Sequence, residues 1–206
     1  MIAKSIREGS IYIKPNFLSQ NEFDVFSGRL PHYRYIDWYQ PSGTYYGNRF
    51  QAFPCYETYD LWTVDQEYYN IFKNIHQEFL EDEMTFFICK IRKSITEEVK
   101  RSKVNGKYGH IHQDQQNGKD DAVPTEFASV FSFVQSYDGG TAFFENEGDT
   151  APDIEVSAYK NRLVAYGSGR FHTSCTDFTF KERNVLVSFI RTERMDFELR
   201  KNKLCV

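Results

Sequence analysis

The 206-residue chain has no block of Lys and Arg, and its net charge of −4, with a pI near 5.8, speaks against a general nucleic-acid or membrane-surface binder. Its four cysteines, Cys55, Cys89, Cys175 and Cys205, form no CxxC pair and no spacing suited to a zinc knuckle, so they read as reduced thiols. The opening stretch MIAKSIREGSIYIKP lacks the seven or more consecutive apolar residues of a signal-peptide core. Nowhere does an apolar run approach the roughly 18 residues of a membrane span. These absences predict a cytoplasmic protein with no membrane partner. Repeats, low-complexity stretches and linkers are missing as well, which predicts one domain over residues 1–206.

What is present is the composition of an ordinary globular chain, 40% apolar, 17% aromatic and 26% charged. Area scaling for this length buries roughly 70% of the unfolded surface, enough for a core without disulfides. Ser19 followed by Glu22 is a capping-box pattern and predicts a helix over about 20–29. Tyr68, Ile71, Phe72, Ile75 and Phe79 recur at helical spacing and predict a second helix near 65–81. These supports fall within about 1–100. From Met84 the pattern turns to strands: MTFFICKIRKS, TEFASVFSFVQ, TAFFE, RLVAYG and RNVLVSFIRTER, with turns expected at Asn105-Gly106 and Asp138-Gly139-Gly140. The class is mainly β with flanking helices, an antiparallel jelly roll or barrel.

The segment YGHIHQDQQ carries the strongest chemical signal. In an extended chain His110, His112 and Asp114 share a face, so His112 and Asp114 can grip a metal ion from one side. Their spacing is not the helical HExxH of zinc hydrolases, so a second histidine has to come from elsewhere. His172 follows Asp114 after 57 residues, and Arg183 follows His172 after ten more. Two imidazoles and a carboxylate leave three open positions on an octahedral ion, which suits non-haem Fe(II), although zinc accepts the same ligands. A guanidinium at Arg183 can clamp a carboxylate through two hydrogen bonds.

Taken in order, His112-Gln113-Asp114, the Gly139-Gly140 pair before TAFFE, His172 and Arg183 resemble the Fe(II)/2-oxoglutarate-dependent oxygenases, and among them the prolyl 4-hydroxylase-like branch. The resemblance covers roughly residues 105–194. It implies a double-stranded β-helix (jelly roll, cupin-like) with its catalytic core at about 84–194. It implies His112, Asp114 and His172 as catalytic metal ligands and Arg183 as the partner of the far carboxylate of 2-oxoglutarate. Fe(II) would be the cofactor, 2-oxoglutarate and O2 the cosubstrates, and ascorbate a candidate reductant. The reaction implied is hydroxylation of a peptide or amino-acid-like substrate, prolyl by analogy with the branch.

The pattern also departs from the family. Two residues beyond Arg183, where Ser or Thr is common, stands Val185; Tyr108 lies one position further from His112 than the family's tyrosine. Tyr108 and Ser132 are further candidates for the cosubstrate pocket. His110 could replace His112, approach substrate or face solvent. Arg191, an even number of residues beyond Arg183, could bind an anionic substrate or pair with a surface carboxylate. Nucleic-acid demethylases of the superfamily space their two arginines more tightly, so a nucleic-acid partner is disfavoured. Val130 and Phe144 are expected to line an apolar interior, Trp38 and Trp62 to pack. Segments 37–53 and 114–124 are candidate lids. The competing readings are the same iron chemistry on a small metabolite or nucleobase, and a catalytically silent jelly roll that binds a metal or ligand.

Overall fold

A computed structural model describes residues 2–37, 55–96, 108, 111–114, 124–134, 136–175 and 181–204. The expected lid 37–53 lies outside them except for Asp37, as do His110, Trp38, Asn105-Gly106 and residues 115–123 of the polar loop.

The chain opens with α1 (Ile2–Arg7) and β1 (Tyr12–Lys14). Helix α2 (Gln20–Arg29) begins where the sequence predicts it: the Ser19 hydroxyl accepts from the Glu22 amide, and the Glu22 carboxylate accepts from the Ser19 amide. A 3-10 turn (Leu30–His32), β2 (Tyr35–Asp37), β3 (Tyr56–Thr58) and α3 (Leu61–Val64) lead to α4 (Gln66–Leu80). The predicted stripe of α4 is its buried face, with Tyr68, Phe72 and Phe79 inward and Phe26 stacked on Tyr68 at 3.9 Å. The strands are β4 (Met84–Ile95), β5 (Phe127–Ser132), β6 (Ser136–Phe144), β7 (Ile154–Ala158), β8 (Arg162–Gly167), β9 (Phe171–Ser174) and β10 (Glu182–Thr192). Residues Glu193–Leu204 form a last helix, α5, whose first two residues, Glu193 and Arg194, fall within the stretch expected to end the last strand.

Two antiparallel sheets face each other. The larger has the order β1-β8-β5-β10-β4-β3-β2 and the smaller β7-β6-β9. Strand alternation divides the larger sheet into two faces. Phe127, Phe131, Leu186, Ile190, Cys89 and Ile91 pack toward the helices, whereas Ala128, Val130, Val164, Tyr166 and Phe189 turn toward the smaller sheet. The result is the mainly β jelly roll expected, with helices on one outer face.

The Asp138-Gly139-Gly140 turn is not a turn. Strand β6 runs through it, with a bulge between Ser136 and Gly140 where the pairing to β7 slips. Glycine is required at 140 by close approach: a Cβ there would lie 2.0 Å from the Val156 carbonyl oxygen. Trp62 is 55% exposed rather than buried, its ring edge-on to Tyr69 at 5.2 Å. Cys55, Cys89 and Cys175 are free thiols, as read. No helix among the described residues is long and apolar enough to cross a membrane.

Candidate metal centre

His172 lies on β9 and is buried. The stretch carrying His112 runs antiparallel beside it: the His112 amide donates to the His172 carbonyl at 3.0 Å, and the His172 amide donates back at 2.9 Å. The two rings are 4.5 Å apart, centre to centre. Asp114 follows in a bend that returns its carboxylate to them, with Oδ2 at 3.3 Å from His172 Nε2 and Oδ1 at 3.9 Å from His112 Nε2. One ligand atom from each of the three residues lies within 4.8 Å of the other two. Borderline nitrogen donors with one hard oxygen donor, converging from one side, form a donor set that fits Fe(II).

The surroundings orient these groups. His172 Nδ1–H donates to the Arg170 carbonyl at 2.9 Å, which fixes the tautomer that offers Nε2 to the centre. The Tyr166 hydroxyl, which the sequence reading did not single out, lies 3.2 Å from Asp114 Oδ2 and 3.1 Å from His172 Nε2. Burial, reinforced by the Asp114 charge, pushes this phenol well above its ordinary pKa, so it remains a donor.

The triad opens into a cavity of about 70 Å³, room for on the order of five waters. Val130, Val185, Val187 and Phe189 form its apolar wall, and Thr141, Ser94 and Arg183 line it too. Arg183 reaches across the sandwich from the start of β10, its Nη2 donating to the Gly140 carbonyl at 3.3 Å. Val185, at the family's Ser/Thr position, is in this wall, and Thr141 and Ser94 are among the hydroxyl-bearing residues of the lining, with Ser129, Tyr166, Thr173 and Ser174.

A second arginine, also unanticipated, faces the same space. Arg92 on β4 is directly opposite Val185 on β10 and opposite Glu57 on β3. Glu57, 1% exposed, accepts from Arg92 Nε at 2.9 Å and lies 2.8 Å from Lys90 Nζ. Burial works against the Arg92 charge, but Glu57, together with Cys55 and Asp114, more than offsets it and holds the guanidinium above its ordinary pKa.

Other expected contacts lie elsewhere. Tyr108 turns to the outer face of the smaller sheet, where its hydroxyl donates to Glu155 at 3.1 Å and its ring meets Phe144 edge-on. Its pairing with Cys175 is out of step by one residue with that of His112 and His172, and a one-residue slip reverses the face. Phe144 belongs to that outer cluster, whereas Val130 lines the cavity as expected. Ser132 is buried on β5 between Val185 and Arg162, outside the cavity lining. Arg191 lies toward the far end of β10, 2.8 Å from Asp196 on α5 with Phe86 beneath it, the structural alternative of its two readings.

Solved structures share this architecture. A Pseudomonas putida prolyl-4-hydroxylase superposes with a TM-score of 0.63 at 13% identity, over 93% of this chain and 97% of the other. The two-sheet fold of this chain is that of a double-stranded β-helix. A prolyl hydroxylase from Trichoplax adhaerens, in complex with a hypoxia inducible factor peptide fragment, matches at 0.64 with 12% identity, over 94% and 89%. HygX from Streptomyces hygroscopicus, with nickel, 2-oxoglutarate and hygromycin B bound, matches at 0.60 with 8% identity, over 93% and 86%. No protein-family model and no curated protein sequence matches the chain.

Proposed function

We propose that this protein is a non-haem Fe(II)/2-oxoglutarate-dependent dioxygenase that hydroxylates an amino-acid-like or peptidyl substrate. The observation that carries the reading is the meeting of His112, Asp114 and His172, from two separate stretches of chain, at a cavity that Arg183 also lines. When bound, Fe(II) with 2-oxoglutarate and O2 supplies oxidative hydroxylation of a C–H bond, with succinate and CO2 released.

The chain's own groups prepare this chemistry. His112 Nε2, His172 Nε2 and an Asp114 oxygen would hold the ion at the cavity. The Tyr166 hydroxyl has one proton for two acceptors; with an ion taking the His172 lone pair, that proton would go to Asp114 Oδ2. Arg183 anchors the far carboxylate of 2-oxoglutarate at the cavity end next to Gly140, with Thr141 and Ser94 as hydroxyl partners. Val185, Val187 and Phe189 exclude water from the reacting groups. Support for a peptidyl substrate comes from the likeness to two prolyl hydroxylases. The likeness to HygX favours a small-molecule substrate as the second reading.

The test is formation of succinate from 2-oxoglutarate by the protein with Fe(II) in air. We expect slow turnover without added substrate, dependent on Fe(II) and abolished in His172→Ala. Folded, iron-loaded protein that makes no succinate with or without candidate substrates would overturn the assignment in favour of a silent binding protein.

A further inference from the structure

We infer that the site takes a substrate carrying a free carboxylate, and that Arg92 is the residue that selects it. The inference rests on the dioxygenase reading above and narrows its substrate class.

Strand β4 alternates Lys90, Arg92 and Ser94 on one face with Cys89, Ile91 and Lys93 on the other. A cationic pair on the inner face of a long strand carries a desolvation cost unless something anionic meets it. Glu57 meets it only in part. Its Oε2 accepts from Arg92 Nε at 2.9 Å while its Oε1 lies 2.8 Å from Lys90 Nζ, so it engages the Arg92 guanidinium at Nε alone. A guanidinium has five donors in a planar fork. Among the described residues the Nη groups of Arg92 donate no hydrogen bond, and Arg92 lines the cavity.

Arg92 cannot simply duplicate Arg183. Arg183 is opposite Ser94 and Arg92 opposite Val185, so the two arginines are diagonal neighbours on one face of paired strands, with Cα atoms about 7–8 Å apart. Two like charges at that separation in a partly buried space repel unless anions lie between or beside them. Glu57 occupies the Nε side of Arg92 and leaves its Nη groups at the cavity, and a substrate carboxylate fits that open edge of the planar fork through two parallel bonds.

The position also sets the substrate's orientation. Asp114 and Arg92 make no ion pair among the described residues, yet both line the cavity, so a carboxylate held by the Nη groups leaves the rest of a small molecule beside the metal centre. An internal residue of a peptide has no such carboxylate, whereas a free amino acid or an N-acylated one does.

The experiment uses the full chain with Fe(II), 2-oxoglutarate and O2, and reads succinate with a panel of free amino acids, N-acetyl amino acids and the carboxamides of both. A second readout is calorimetric binding of the same panel to protein loaded with Zn(II) and 2-oxoglutarate. We expect at least one acid to bind and to stimulate succinate formation about tenfold or more over its carboxamide. In Arg92→Gln this preference falls below twofold, while Arg92→Lys retains part of it. Acids and amides that behave alike, or no acid that binds or stimulates, would overturn the inference while basal succinate leaves the dioxygenase reading intact. An Arg92→Gln protein that keeps the preference but needs far more 2-oxoglutarate would also overturn it and reassign Arg92 to the cosubstrate. Absence of any succinate from the parent protein is the distinct failure of the underlying reading.

Discussion

His112 and His172 are antiparallel partners that exchange both backbone hydrogen bonds, at 3.0 and 2.9 Å, and hold their imidazoles 4.5 Å apart on the cavity side. Sixty positions apart in sequence, the two rings are positioned by a β-bridge at the β9 edge of the smaller sheet. The donor geometry is therefore built into the backbone pairing rather than left to side-chain flexibility.

Tyr166 supports this centre without being a ligand in the proposal. Tyr166→Phe keeps the ring that packs edge-on against Phe143 at 5.0 Å and removes only the hydroxyl shared by Asp114 and His172. Loss of such an outer partner typically weakens metal affinity about 10–100-fold. We expect that loss in an equilibrium Fe(II) titration, with thermal stability of the metal-free protein changed little. Unaltered affinity would show that the hydroxyl does not orient Asp114.

Gly140 joins the strand bulge to the cosubstrate end of the cavity. In Gly140→Ala the new methyl would meet the Val156 carbonyl, so β6 and β7 have to part. Overpacking of this kind costs about 1–3 kcal/mol. The Gly140 carbonyl, which accepts from Arg183 and from the Cys175 amide, moves with it. Urea unfolding should register the destabilisation, and 2-oxoglutarate binding should weaken in parallel. Wild-type values in both would contradict the close approach.

His76 predicts the protein's response to acid. It is fully buried on α4, with Nδ1–H donating to the Phe72 carbonyl at 2.6 Å and Nε2 accepting from the Ser129 hydroxyl at 2.9 Å. Burial lowers its pKa from 6.5 to about 4. The unfolded chain therefore binds a proton that the folded chain refuses between those values. Its stabilising contribution is fully present above about pH 6.5 and is lost progressively as pH falls toward 4, by up to on the order of 3 kcal/mol. Urea midpoints at pH 7 and pH 5 should drop further in the parent protein than in His76→Gln. Equal drops would show that other groups carry the acid sensitivity.

Much of the fold was legible because local signals agreed with the tertiary arrangement. The Ser19–Glu22 box marked the start of α2, the Tyr68-to-Phe79 stripe marked α4, and runs of β-branched and aromatic residues marked β4, β5, β8 and β10. His112 and Asp114 do meet, though a bend at Asp114 rather than strand alternation brings them together, and the ordered spacing points to His172 and Arg183. Tyr108 was misplaced because a single slip in pairing leaves no trace in composition yet reverses a side chain. Asp138-Gly139-Gly140 looked like a turn because glycine serves turns and close approaches alike; only the Val156 carbonyl distinguishes them. Two cavity residues, Arg92 and Tyr166, do carry a signal in the sequence. Arg92 and Lys90 alternate with Cys89 and Ile91 in MTFFICKIRKS, a polar face on a strand read simply as apolar. Tyr166 shares the parity of Val164 on β8, six residues before His172.

The central claim is that His112, Asp114 and His172 hold Fe(II) in a form that 2-oxoglutarate can chelate beside Arg183. Anaerobic titration of metal-free protein with Fe(II) and then 2-oxoglutarate, followed by visible absorption, tests it most directly. The account predicts a weak, saturable charge-transfer band that is lost in His172→Ala and needs far more 2-oxoglutarate in Arg183→Ala. Folded, metal-bound protein that shows no such band, or a band indifferent to both substitutions, would contradict it.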